Sequence, residues 1–249
     1  MDDDIYPPTE DDLPPANPSP IWRHEDRERE FELVHGDPDN IEAIEKHIET
    51  HVGESAGVYH EILSDLVHID VHIVQANDER PFHTLITSGM SDKPMTAPED
   101  ELRYAELAIL LPADWPLTQD AFNDENHYWP IRWLKTLARL PHEYETWVGF
   151  GHTIPNGDPP EPLSEHTHLC GFILLPSVSL PEEFAQMTRP DGHICNFFTI
   201  VPLYEDEMNF KIKEGAERLL ALFGKQDITD IVDLQRANVC RKRRWFLGG

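Results

Sequence analysis

Three residues at alternate positions of one apolar run, His68, Asp70 and His72, are the side chains best suited to chemistry in this 249-residue chain. Alternation puts positions i, i+2 and i+4 on one face of a strand. Two imidazoles and a carboxylate there match the ligand set of zinc or iron. His166 and His168 could add a second pair from a later loop, with His152 near them in sequence. A metal-dependent hydrolase using His68, Asp70 and His72 is the activity this pattern would serve, yet no nucleophile or acid/base pair can be read beside it. The competing reading is a polar sheet face with locally bonded histidines, because HxH pairs arise cheaply among 14 histidines. We prefer that reading, so no catalytic residue, metal or cofactor is expected.

Two further stretches could recognise a partner. In TSGMSDKP (87–94), Gly89 is suited to positive φ, and Ser91 or Asp92 could cap the turn with a side-chain oxygen. It is either a structural turn or a recognition loop; no GxSxG elbow surrounds Ser91, so it is not read as a nucleophile. The stretch PHEYETWVGFGHTIPNG (141–157) collects Tyr144, Trp147, His152 and Asn156 around two glycines. Aromatic side chains make good binding anchors, though Tyr144 and Trp147 could equally fill the core beneath the loop. Ser91, Asp92, Tyr144, Trp147, His152 and Asn156 are the candidate partner-binding set. The RKRR run at 241–244 stands alone as a basic feature, with no P-loop, GxGxxG or zinc-finger spacing to support nucleic-acid binding.

The elements that must position these residues follow from periodicity. A helix follows the DPDN signal at 37–40, with Ile41, Ile44, Ile48 and Val52 on one face and Gly53 as its stop. Strands are predicted at 67–74, 82–89, 105–112, 170–176 and 194–203. A helix spans 128–140, with Pro130 near its first turn and Pro141 as its stop. A proline- and glycine-rich loop covers 151–165. Helices follow from Tyr204, with Leu219, Leu220 and Phe223 inward, and at DITDIVDLQ (227–235). This is not a regular βαβ alternation, so the expected class is α+β, a mixed or antiparallel sheet flanked by helices.

Charge narrows the partners. Acidic residues number 47 against 20 basic ones, a formal charge of -27. Residues 1–32 hold 11 of the acids and 3 of the bases, so the remainder carries -19 and the folded body is itself acidic. Such a field repels nucleic acid and anionic membrane and attracts a basic protein. Three sparse cysteines, Cys170, Cys195 and Cys240, fit a reducing compartment rather than a disulfide framework. The acidic, proline-rich start is no secretory signal, and no apolar run is long enough to span a bilayer, so a cytoplasmic location is expected. The organisation anticipated is a disordered acidic tail over 1–30, one domain over 31–240, and a basic tail over 241–249.

Several segments together resemble the suppressor-of-fused family: HIDVHIV, RPFHTLITSGMSDKPM, AELAILLPADW, YWPIRWLKTLARLPHEYETWVGFGHTIPNGDPPEP, LCGFILLP and VPLYEDEMNFKIKEG. They run from about residue 57 to 220, and their combination is specific where each alone is not. The resemblance implies an α+β domain with a mixed sheet and no enzymatic activity. The animal relative sequesters zinc-finger transcription factors, holding an extended peptide by strand addition. The layout is similar to compact bacterial members, which resemble immunity proteins, and no counterpart of the animal protein's second lobe is apparent. Expected function is therefore a non-catalytic protein-binding module, an immunity or antitoxin type that sequesters and neutralises a basic toxin or effector domain. The alternative is a regulatory scaffold for an extended peptide of a signalling or transcription protein.

Overall fold

The computed structural model describes residues 13–25, 28–61 and 64–241, and its first helix starts where the DPDN signal places it. Helix α1 (Pro38–His51) is capped by the Asp37 carboxylate, which accepts from the Asp39 and Asn40 amides. Ile44 and Ile48, one turn apart, are its buried face. Strands β1 (Gly57–Tyr59), β2 (Asp70–Val74), β3 (Phe82–Ser88) and β4 (Ala105–Pro112) then form an antiparallel run. Helix α2 (Glu125–Glu143) leads to β5 (Thr153–Pro155), β6 (Gly171–Leu175), β7 (Gln186–Thr188) and β8 (Ile194–Leu203). Helices α3 (Glu205–Glu214) and α4 (Ala216–Gly224) follow.

The eight strands make one mixed sheet in the order β1-β2-β3-β4-β8-β6-β5, with β7 added on β8. The β4–β8 pair is parallel and the others are antiparallel. α2 covers one face, where Trp129, Ile131, Leu134 and Leu137 meet Val71, Leu107, Ile109, Phe172 and Ile200. On the other face α1 covers Val74, Ile86, Leu110 and Phe197, while α3 and α4 cover Ile173, Val201 and Leu203. β2, β4 and β6 are buried on both faces; β6 and most of β4 read as continuous apolar runs, while β2 also buries Asp70 and His72. The class is α+β with a mixed sheet.

Several boundaries differ from the sequence reading. β1, β5 and β7 have three residues each, too few to show a period of two. α2 continues through Pro141 to Glu143; the proline lies in the last turn, buried against the core, where its missing donor costs little. Residues 227–235 are not a helix. Ile231 instead pairs with Leu110 in a parallel bridge and the Val232 amide donates to the Leu110 carbonyl at 2.9 Å. The Asp230 carboxylate accepts from the Ser177 and Ser179 hydroxyls and the Val178 amide, tying that segment down.

The anticipated disordered tail is also revised where it is described. Residues 13–25 and 28–33 lie along the body as an extended strap, with Leu33 bridging Asp65. Residues 1–12, 26–27 and 242–249, which hold the rest of both expected tails and most of the RKRR run, lie outside the described residues.

Candidate functional site

The TSGMSDKP turn closes on a buried carboxylate. Gly89 has φ +102, and a Cβ there would come 1.8 Å from the His68 carbonyl oxygen, so only glycine fits. The turn points its donors at Glu106 on β4, which is fully buried. Glu106 accepts from the Thr87 hydroxyl at 2.6 Å, the Gly89 amide at 3.0 Å, and the Ser91 amide and hydroxyl at 2.9 and 2.7 Å. Burial pushes its carboxyl up to about 7, against these donors, which pull the other way. The Arg189 guanidinium donates to the Ser91 carbonyl and lies 4.4 Å over the Tyr104 ring. Asn40 on α1 donates to the Ser91 hydroxyl and the Asp92 carboxylate, whose other oxygen accepts from the Asp37 amide.

Ser91 is therefore withdrawn from the partner-binding set: at 0% exposure it binds Glu106, α1 and β8's neighbour Arg189, not a partner. Asp92 is half-buried and holds the start of α1. The group that organises this knot, Glu106, was missed. Its signal was a lone acid inside an otherwise apolar interior strand, which must find internal donors.

Strand β2 begins at Asp70, and the residues of the His68, Asp70, His72 pattern go to different partners. Asp70 sits between His60 Nδ1 at 2.8 Å and His68 Nε2 at 3.1 Å, and accepts from the Glu61 amide at 2.9 Å. Burial raises its carboxyl, but these contacts outweigh that and hold it below the usual aspartate value. His72 turns instead to the Ser88 hydroxyl at 2.9 Å, and burial lowers its pKa. The histidines at 166 and 168 are exposed on a separate loop. Among the described residues no group of three His, Cys, Asp or Glu could hold a metal ion. Ser64, His68 and Asp70 do stand in the order of a hydrolase triad, with Ser64 Oγ 2.7 Å from His68 Nδ1. Ser64 is 2% exposed, so its hydroxyl is a structural partner rather than a nucleophile open to substrate.

The 141–158 stretch is the more open region. The structure joins it to the turn: His142 Nε2 is 2.9 Å from the Met90 carbonyl, and the Thr96 amide donates to the Thr146 carbonyl. Trp147 packs on His152 with ring centroids 4.3 Å apart, and burial lowers the pKa of that imidazole. Gly149 lets Trp147 lie close, since a Cβ would be 2.8 Å from its ring. The Asn156 amide group donates to the Glu161 and Pro162 carbonyls, stapling the loop. All four predicted residues, Tyr144, Trp147, His152 and Asn156, are half-buried, while Phe150 between them is 52% exposed and was missed.

The strap crosses the same end of the molecule. Asn17 and Ser19 amides donate to the Glu214 and Ile212 carbonyls, Arg23 pairs with Asp158 at 3.1 Å, and His24 stacks on Tyr144 at 5.4 Å. Nothing in the sequence pattern distinguished this from a free tail.

Comparison with known proteins is consistent with this architecture. A family model described as suppressor of fused protein matches residues 65–237. No curated protein matches the chain. A suppressor of fused homologue from Neisseria gonorrhoeae superposes with a TM-score of 0.61 at 19% identity, over 82% of this chain and 98% of that one. The crystal structure of a Sufu–Fu complex gives 0.58 at 15% identity, over 81% and 93%. Drosophila Suppressor of Fused gives 0.57 at 17% identity over 86% of this chain, which spans about half of that protein, 54%.

Proposed function

The chain belongs to the suppressor of fused family, and from that premise we propose that it is a non-catalytic protein-binding module that sequesters a basic protein, as an immunity or antitoxin protein does. The observation that carries this is charge: a chain at -27 attracts a cationic surface and raises its encounter rate. A related fold has been crystallised as a complex between Sufu and Fu, and we extend protein binding from that relative to this chain. Two features support a role without catalysis: the His68–Asp70 pair is spent on Ser64 and His60, and Ser91 is spent on Glu106. We place the protein in the cytoplasm, where free Cys170, Cys195 and Cys240 stay reduced.

The test is to purify the tagged protein from its own cell at low salt. A basic toxin or effector domain that dissociates as salt is raised is the expected result. Recovery of no protein partner would overturn the reading. A second reading, capture of an extended peptide, is favoured by β5, a three-residue strand that ends the sheet. A short peptide from the partner would then bind as well as the whole domain.

A further inference from the structure

The strap displays two large apolar side chains in a fixed position. Prolines 14, 15, 18 and 20 set extended backbone over this stretch and leave few amides. Two of those few, on Asn17 and Ser19, point the same way, as positions i and i+2 must. They satisfy the Glu214 and Ile212 carbonyls that the last turn of α3 leaves free. Arg23 and His24 fix the strap again on Asp158 and Tyr144. Between these anchor points stand Ile21 and Trp22, 63% and 74% exposed.

Phe150, 52% exposed, belongs to the same neighbourhood. Asn17 lies against Gly215, and the next residue, Ala216, lies against Gly151, which adjoins Phe150. Ile21 and Trp22 thus stand on a strap tied to the 144–158 stretch through Asp158 and Tyr144, and Phe150 is the exposed large apolar side chain of that stretch. Exposed acids of the strap and of the loop it is tied to include Glu25 and Glu161, with Asp158 paired to Arg23. Arg23, the strap's nearby base, is matched by Asp158.

We propose that Ile21, Trp22 and Phe150 form the anchor of an interface for a protein whose apolar pocket is rimmed by lysine and arginine side chains. This deepens the sequestration reading and rests on it. Backbone contacts at Asn17 and Ser19 and side-chain contacts at Arg23 and His24 flank Trp22, and buried aromatic anchors dominate interface energies. The acidic rim chooses a cationic partner and disfavours a second copy of this chain, which would bring like charges together.

Site-specific photocrosslinking in the producing cell tests the assignment, with p-benzoylphenylalanine placed at position 22, 150 or 178. Val178, 77% exposed and beside Asp230, is the control for exposure alone. Expected are crosslinks from positions 22 and 150 to the same basic protein that the low-salt purification recovers, and none from 178. Trp22→Ala should then weaken that purified complex at least tenfold, and Val178→Ala should leave it unchanged. If the basic partner is recovered but crosslinks only from 178, or binds Trp22→Ala as tightly, the anchor is wrong while sequestration stands. A crosslink to a second copy of the chain also overturns the anchor. If no partner is recovered by either route, both fall.

Discussion

Two stretches that carry the family resemblance, 87–94 with Glu106 and 141–158 with the strap across it, do opposite work in the fold. The first is closed: four donors converge on one buried carboxylate, and α1, β3 and β4 are fixed to each other through it. The second is open, with half-buried aromatics, an exposed Phe150 and a strap held by two amides, one exposed ion pair and one ring stack. A distinctive motif can thus mark a rigid junction as readily as a contact surface. Burial and donor geometry tell the two apart; sequence specificity does not.

The sharpest way to break this contrast is to remove the carboxylate. Glu106→Leu leaves the Thr87 and Ser91 hydroxyls and two amides without their acceptor in the core, each a loss of ~1–3 kcal/mol. We expect no cooperative unfolding transition, or a urea midpoint corresponding to a loss of at least ~4 kcal/mol. Gly89→Ala should behave alike, because its Cβ would meet the His68 carbonyl. A soluble Glu106→Leu protein of wild-type stability would show that the knot is not what fixes the sheet.

A smaller effect separates charge from shape. Glu106 has its folded pKa raised to about 7, so its stabilising contribution is complete below the ordinary glutamate value and is lost as pH rises through 7. His142, buried against the Met90 carbonyl, is lowered to about 4, so its contribution is complete above the ordinary histidine value and is lost as pH falls toward 4. Each amounts to roughly 3 kcal/mol across its window, and between pH 4.5 and 6.5 they oppose one another. Glu106→Gln keeps an acceptor for the turn and removes the titration. Its stability relative to wild type should rise by ~2–3 kcal/mol between pH 4.5 and 7.5, read from urea midpoints at several pH values. A constant difference would mean that Glu106 is ionised throughout.

How much of this was legible in the sequence follows the same divide. The long elements were, because α1, α2, β3, β4, β6 and β8 each bury a face or a whole strand and so carry a period or an apolar run. The three-residue strands were not, since three positions are too few to show a period and their place in the sheet comes from the longer strands they pair with. The strand predicted at 67–74 is shorter in the structure, beginning at Asp70, and His68 and His72 bond locally to Ser64 and Ser88. Ser91 misled because its type suits a surface turn, while Glu106, fifteen residues later, pulls it inside. The strap was illegible for a related reason. Proline and charge lower the tendency to fold alone, but they say nothing about docking on a helix end that is built elsewhere.

The smallest expected effect tests the open region as a surface. Phe150 stands between Gly149 and Gly151 and is more than half exposed, so little of its ring is buried by folding. Phe150→Ser should shift the unfolding free energy by no more than ~0.5 kcal/mol, as substitutions away from core, caps and networks do. Trp147→Ala in the same loop should cost more, about 1–2 kcal/mol, because its ring packs on His152 and Gly149 and its loss leaves a gap. The pair is informative together, measured by urea unfolding of the full chain. If Phe150→Ser destabilises as much as Trp147→Ala, the whole loop belongs to the core and the contrast with the Glu106 knot collapses. If only Trp147 matters, the loop has a packed inner side and a free outer one, and the free side is where a partner can be recognised without disturbing the fold.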